Sequence, residues 1–278
     1  MKNFLKKFIR FSNSWTGTII IVLLVIFFIA QAFVIPSGSM KKTLLIGDHL
    51  FVKKFSYGIP TPHLPWLEIP VLPDFRGNGH LINGDKPQRG DIVVFRYPKS
   101  PNIHYVKRCV ATGGDEIFFY DKHLFIRFSE GDAYMQKNFA KEKLYNLVGR
   151  LWVLNPYQEK YKGISYDSDI DLFAQMTQFL AVGELDMKPA IVPELPANTN
   201  APFNAFYKKI PKDEFYMIGD NRDHSNDSRF WGSVSYANIV GKPWFIYFSW
   251  DDEYKIRWNR VGRLISTIEN NTEFLDGK

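Results

Sequence analysis

Thirty consecutive residues, Phe11 to Met40, carry no charge, and that stretch constrains the chain more than any other. Within it Trp15 to Val34 reads WTGTIIIVLLVIFFIAQAFV, about 20 residues, enough for a helix to cross a hydrocarbon core roughly 30 Å thick. A transmembrane anchor over 15–35 is expected, with Trp15 at one interface. Lys2, Lys6, Lys7 and Arg10 precede it, so the positive-inside rule keeps residues 1–14 cytoplasmic and places the rest of the chain across the membrane. Ala30-Gln31-Ala32 has the small-x-small form of a cleavage site, which opens a second reading as a removed secretory signal. The run is longer than a usual signal core of about 7–15 residues and continues into Phe33, Val34 and Ile35, which favours the uncleaved anchor.

Those four basic residues carry most of the formal charge of +6, and the remainder holds thirty-one basic against twenty-nine acidic side chains. A nucleic-acid footprint needs a concentrated basic patch on the folded part, so no nucleic-acid partner is expected. A chain of 278 residues that is 45% hydrophobic is long enough for one large or two modest domains with a core. The one cysteine, Cys109, excludes both an intramolecular disulfide and a cysteine metal cage.

Beyond the apolar segment, short β-branched and aromatic runs alternate with Gly, Pro and Asp clusters: HLFVKKF (49–55), DIVVFRY (91–97), HYVKRCVAT (104–112), EIFFYDKHLFIRF (116–128), EFYMIGD (214–220) and PWFIYFSW (243–250). Such runs predict a mostly β fold. The proline-rich stretch 58–73, which includes Trp66, reads as an extended loop or edge ribbon that either packs on the core or dips into a bilayer interface. Between about Asp132 and Pro211 the texture changes. There SDIDLFAQMTQFLA (168–181) sets Ile170, Phe173, Thr177 and Leu180 on one helical face, with Ser168 or Asp169 as N-cap, so 132–211 is read as an inserted mixed α/β subdomain.

Among candidate nucleophiles Ser39 has the most informative surroundings, because Pro36 and Gly38 impose an irregular backbone just past the apolar segment. A serine hydroxyl needs a base. His49, His63, His80, His104, His123 and His224 stand in ordinary contexts without a triad motif. Ser39-Met40-Lys41-Lys42 is formally S-x-x-K, the acylation motif of penicillin-recognising enzymes, but no K-T-G accompanies it. The second lysine is Lys107: strand alternation puts it on one face with Tyr105 and Cys109, opposite Val106, Arg108 and Val110. A free ammonium near pKa 10.4 cannot accept a proton at neutral pH. Burial away from carboxylates would have to lower it by roughly 3 units, about 4 kcal/mol. GDNRDHSNDSRFWGSV (219–234) adds a cluster of carboxylates and guanidiniums suited to an internal polar network. Its Asp223-x-Ser225-x-Asp227 lacks the glycine and terminal glutamate of a calcium loop.

Four stretches in order, PSGSMKKTLLIGD (36–48), RGDIVVFRYP (89–98), YVKRCVATGGD (105–115) and GDNRDHSNDSRFWG (219–232), together with the anchor and GKPWFIYFSWD (241–251), resemble the bacterial type I signal peptidases. The resemblance spans most of the chain and leaves 132–211 uncovered. It implies Ser39 as nucleophile, Lys107 as general base, Ser37 as an oxyanion donor and Ser225 as the residue orienting the lysine amine. Asp227 and Arg229 would form a supporting ion pair, joined in that role by Arg108, while Phe33, Ile35, Met40 and Val106 would bind the small residues at −1 and −3 of the substrate. Cys109 stands where many relatives have alanine, Asn226 occupies a variable place, and Lys41 and Lys42 have no assigned part.

The implied protein is a serine endopeptidase of the bacterial inner membrane, with its catalytic domain on the extracytoplasmic face and without metal or organic cofactor. Secretory preproteins, the lipid bilayer and the secretion translocon are the partners this implies. The expected organisation is a basic segment 1–14, an anchor 15–35, a catalytic β domain 36–131 and 212–265, the insertion 132–211 and a tail 266–278. Two alternatives are kept: a tethered penicillin-recognising acyltransferase using Ser39 and Lys42, and a non-enzymatic membrane-anchored β domain.

Overall fold

The computed structural model describes residues 2–64 and 68–275; Trp66 lies outside the described residues. Helix α1 (Lys2–Ser12) ends at Asn13-Ser14, and α2 (Trp15–Leu24) begins with Ser14 Oγ accepting from Gly17 N–H at 3.1 Å. A π-helical turn (Val25–Ile29) extends α2, and the two helical arms are bent by 89°. The apolar run does not continue as helix to Val34. Ala30–Val34 is strand β1, in full antiparallel register with β2 (Asp48–Lys53) from Ala30↔Lys53 to Val34↔His49. The β-branched and aromatic residues after Ala30 gain cross-strand partners that a longer helix would forgo. The helical arm Trp15–Ile29 then rises only about 22 Å, and no single described helix is long and apolar enough to cross a membrane; the bent pair passes that test together.

The further strands are β3 (Gly58–Pro60), β4 (His80–Asn83), β5 (Ile92–Tyr97), β6 (Ser100–Thr112), β7 (Glu116–Tyr120), β8 (His123–Arg127), β9 (Leu144–Leu147), β10 (Arg150–Leu154), β11 (Lys188–Ala190), β12 (Ala205–Lys209), β13 (Glu214–Ile218), β14 (Val234–Ser235) and β15 (Ile239–Ser249). They form a seven-stranded sheet, β1-β2-β15-β5-β6-β13-β14, a six-stranded sheet, β11-β12-β7-β8-β10-β9, and the β3–β4 ribbon. All six predicted runs are strands, and EIFFYDKHLFIRF is the hairpin β7–β8. Its loop is two residues, because Tyr120 pairs with His123, and Asp121 supplies the positive φ (49°) that such a tight turn demands.

The segment 132–211 has no sheet to itself. Its strands β9–β12 flank the β7–β8 hairpin from both sides, so the second sheet runs across the expected boundary at 131/132. The core beneath joins Phe206 and Phe173 of this segment to Val110 and Tyr216 of the first sheet. Helix α3 (Asp132–Asn138) precedes it, and α4 (Leu172–Ala181) replaces the predicted 168–181 helix. Asp171 rather than Ser168 or Asp169 caps α4, accepting from Ala174 N–H at 2.9 Å. Its buried residues are Leu172, Phe173 and Met176, with Thr177 turned from that centre to donate to Phe173 O. Residues beyond 265 also pack, with Ile268 and Phe274 buried against Leu50 and Ile246.

Candidate active site

Two strands supply the halves of the site. Past the Val34↔His49 pair, Ile35 N–H donates to Asp48 O at 2.9 Å and Gly47 N–H to Ile35 O at 3.0 Å, so 36–46 leaves the β1–β2 hairpin as a closed loop. Asp48 locks it, accepting from Leu45 N–H at 2.8 Å and from the buried Arg260 guanidinium. Ser37 is extended (φ −133°, ψ 156°), and Gly38–Met40 make one 3-10 turn closed by Lys41 N–H to Gly38 O at 2.9 Å. Ser39 is thereby turned inward, 9% exposed.

Lys107 arrives from the middle of β6, paired with Val93 of β5. Its Nζ is hydrogen-bonded to Ser39 Oγ at 2.7 Å and donates to Val106 O at 3.0 Å, with the Tyr105 ring centroid 5.1 Å away. Burial lowers the Lys107 amine from 10.5 to about 8, although Asp227 and then Asp220 pull the other way. The setting is not, as the sequence led one to expect, away from carboxylates. Both carboxylates are near, but each is neutralised. Arg229 Nε and Nη2 donate to Asp227 at 2.8 Å each, and Arg108 Nε and Nη2 donate to Asp220 at 2.8 and 2.7 Å. Burial would raise the Asp227 carboxyl; the Arg229 guanidinium outweighs it and holds that carboxyl below the usual range.

The 219–222 loop fastens the nucleophile turn from behind. Asn221 N–H donates to Ser39 O at 3.1 Å and Asn221 Nδ2 to Gly38 O at 2.9 Å. Gly219 is where only glycine fits, since a Cβ there would stand 2.3 Å from Ser225 Oγ and 2.5 Å from Ser39 O. Arg108 points away from the cleft and bridges Asp220, Gly90 O at 2.6 Å and Glu269 at 2.8 Å, with Tyr161 stacked at 3.7 Å.

A cleft of about 690 Å³ opens over the pair, lined among others by Ile35, Ser37, His104, Val106, Asn221 and His224. Ser37 is exposed at its edge. One expected site residue stands elsewhere. Met40 is fully buried in the core and does not line the cleft; its Sδ accepts from Asp220 N–H at 3.3 Å. Phe33 is half-buried and stands edge-on to the cleft-lining His104 ring at 5.1 Å. Ser225 is buried beside Gly219, and among the described residues no hydrogen bond joins it to Nζ.

Three residues were missed. His104 shares the Val106 face by strand alternation and was readable on that ground; burial lowers its imidazole to about 4, so it stands neutral in the wall. Asn221 and His224 lie within the 219–232 stretch, but nothing in their spacing tells that the loop folds back onto Ser39.

The family described as signal peptidase, peptidase S26, matches residues 8–250. The chain is 48% identical over 284 aligned residues to a signal peptidase I of Helicobacter pylori, covering 96% of each chain. It is 34% identical to a signal peptidase I of Pseudomonas fluorescens, over 91% of this chain and 78% of that one. A crystal structure of a signal peptidase I from Enterococcus faecalis covers 57% of this chain and 97% of that chain at 20% identity, with a TM-score of 0.28.

Proposed function

This chain belongs to the signal peptidase family, peptidase S26, and we propose that it cleaves signal peptides with Ser39 as nucleophile and Lys107 as its general base. It is a membrane-bound serine endopeptidase of the signal peptidase I kind. The observation that carries the assignment is the 2.7 Å hydrogen bond between Ser39 Oγ and the amine of a lysine that is 4% exposed. Lys42, the base of the acyltransferase alternative, makes no such contact among the described residues.

Neutral Nζ takes the Ser39 proton as Oγ attacks the carbonyl carbon before the scissile bond. The oxyanion receives the Ser39 N–H, which has no partner within its own short turn, and the Ser37 hydroxyl. Collapse breaks the C–N bond, the ammonium returns its proton to the leaving amine, and the signal peptide remains as an ester on Oγ. Water, deprotonated by Nζ, then hydrolyses the ester and releases the carboxylate. Asp227–Arg229 and Asp220–Arg108 hold the walls without leaving a net anion to recharge the lysine. Ile35 and Val106 supply the apolar cleft surface for small side chains at −1 and −3.

Membrane attachment begins at α1, whose Lys6, Lys7 and Arg10 suit a cytoplasmic interface, with the α2 arm entering the bilayer. Because β1 follows directly, the Phe51, Phe245 and Tyr247 rings and half-exposed Trp244 on the neighbouring strands lie close to lipid headgroups. Incubation of the full chain in detergent with a preprotein, followed by N-terminal sequencing of the product, tests the function. Release of a mature N-terminus after a small-x-small site is expected, and an intact preprotein would refute it.

A further inference from the structure

A second cavity of about 280 Å³ lies beside the cleft, lined by Leu172, Gln175 and Phe179 of α4 and by residues 223–226 and Phe230. It adjoins the cleft, with His224 and Asn226 lining both. It also reaches the nucleophile turn: Ser225 stands in its wall while its Oγ and Ser39 O press on the same face of Gly219. Phe179 and Phe230 meet edge to face at 5.1 Å, and Phe179 is 40% exposed, so the pocket presents aromatic surface. Its floor is polar. Asp223 has a fully buried side chain whose Oδ1 has no hydrogen-bond partner, while Oδ2 accepts from Asp167 N–H at 2.7 Å.

The cleft surface assigned to the residues before the scissile bond comes from Ile35 and Val106, and the 221–226 loop closes the cleft elsewhere. A peptide that lies along Ile35 and Val106 and delivers its carbonyl to Ser39 runs on toward that loop. We infer that this cavity is the subsite for an apolar side chain at the first or second position after the scissile bond, built in part by helix α4. The inference rests on the peptidase reading above. It assigns the 132–211 segment a part in substrate choice, since α4 supplies the outer wall. An aliphatic or aromatic side chain would cover Phe179 and Phe230.

The test uses the full chain in detergent and synthetic peptides identical except for Leu, Phe, Gly or Asp at the two positions after an Ala-x-Ala site. The wild type is expected to show a kcat/KM for the Leu or Phe peptide about tenfold above that for the Asp peptide. Phe179→Ala, which opens the pocket, and Gln175→Trp, which fills it, should each shrink that ratio severalfold. Val182→Ala, at an exposed position just past α4 and outside the pocket, should keep the wild-type ratio. Equal losses on every peptide, or a ratio unmoved in both pocket variants, would overturn the subsite. Absence of cleavage of all peptides by the wild type would instead overturn the peptidase reading, which separates the two failures.

Discussion

At the residue scale, Lys107 is suited to the proposed role of base because burial disfavours its charged form and no unneutralised carboxylate restores it. Ser39→Ala and Lys107→Met should each cut preprotein processing by about 10³-fold or more, and Ser37→Ala by about 10²-fold through the lost oxyanion donor. The base works only when neutral. The fraction of competent enzyme therefore rises with pH up to the lowered value of about 8, and kcat/KM should climb about tenfold per unit below it, then level off. An activity maximum in acid would contradict this. The same burial costs stability: the unfolded chain binds a proton on Lys107 that the folded chain has released between about 8 and 10.5, so this contribution improves as pH rises through that window. Below it the cost is complete, and Lys107→Met should raise the melting temperature at pH 7 while abolishing activity, an effect on the order of 2–3 kcal/mol. The strand alternation that isolates Lys107 was legible in HYVKRCVAT. The burial of Met40 was not, because it depends on the Asp220 backbone arriving against its sulfur.

At the scale of elements, the hairpins were readable because period-two alternation and turn residues are local properties, whereas the loop 219–227 acquires its shape from what it touches. Arg108 on β6 is bound to Asp220, Glu269 and Gly90, all distant in sequence. Arg108→Ala leaves Asp220 buried and unpaired, which should cost about 3–5 kcal/mol in denaturant unfolding. Gly219→Ala probes the opposite relation. Its Cβ would press on Ser39 O and Ser225 Oγ, so the nucleophile turn must shift, and kcat should fall by at least about tenfold with a smaller change in KM. Helix α4 began four residues later than the apolar spacing suggested, since the Asp171 carboxylate offers a cap and Leu172 and Phe173 are drawn into the shared core.

Across the whole molecule, the N-terminal arm and the catalytic sheet are one covalent path: α2 runs into β1, and β1 into the loop that carries Ser39. On the proposed membrane attachment, that continuity would hold the nucleophile near the bilayer surface. In sealed inverted membrane vesicles, added protease should therefore leave everything beyond residue 35 intact until detergent is added; digestion without detergent would reverse the orientation. The sequence by itself determined the apolar arm and the β character and pointed, through its motifs, to the two side chains proposed to react, because hydropathy, alternation and motif residues are written within short windows. Only the tertiary structure decided where the arm stops being helix, that 132–211 joins a sheet begun by β7 and β8, and that Asp220 and Asp227 face Lys107 already paired. Each of these depends on free energy from partners far along the chain: cross-strand pairing for β1, a common core for the second sheet, and desolvated guanidiniums for the carboxylates.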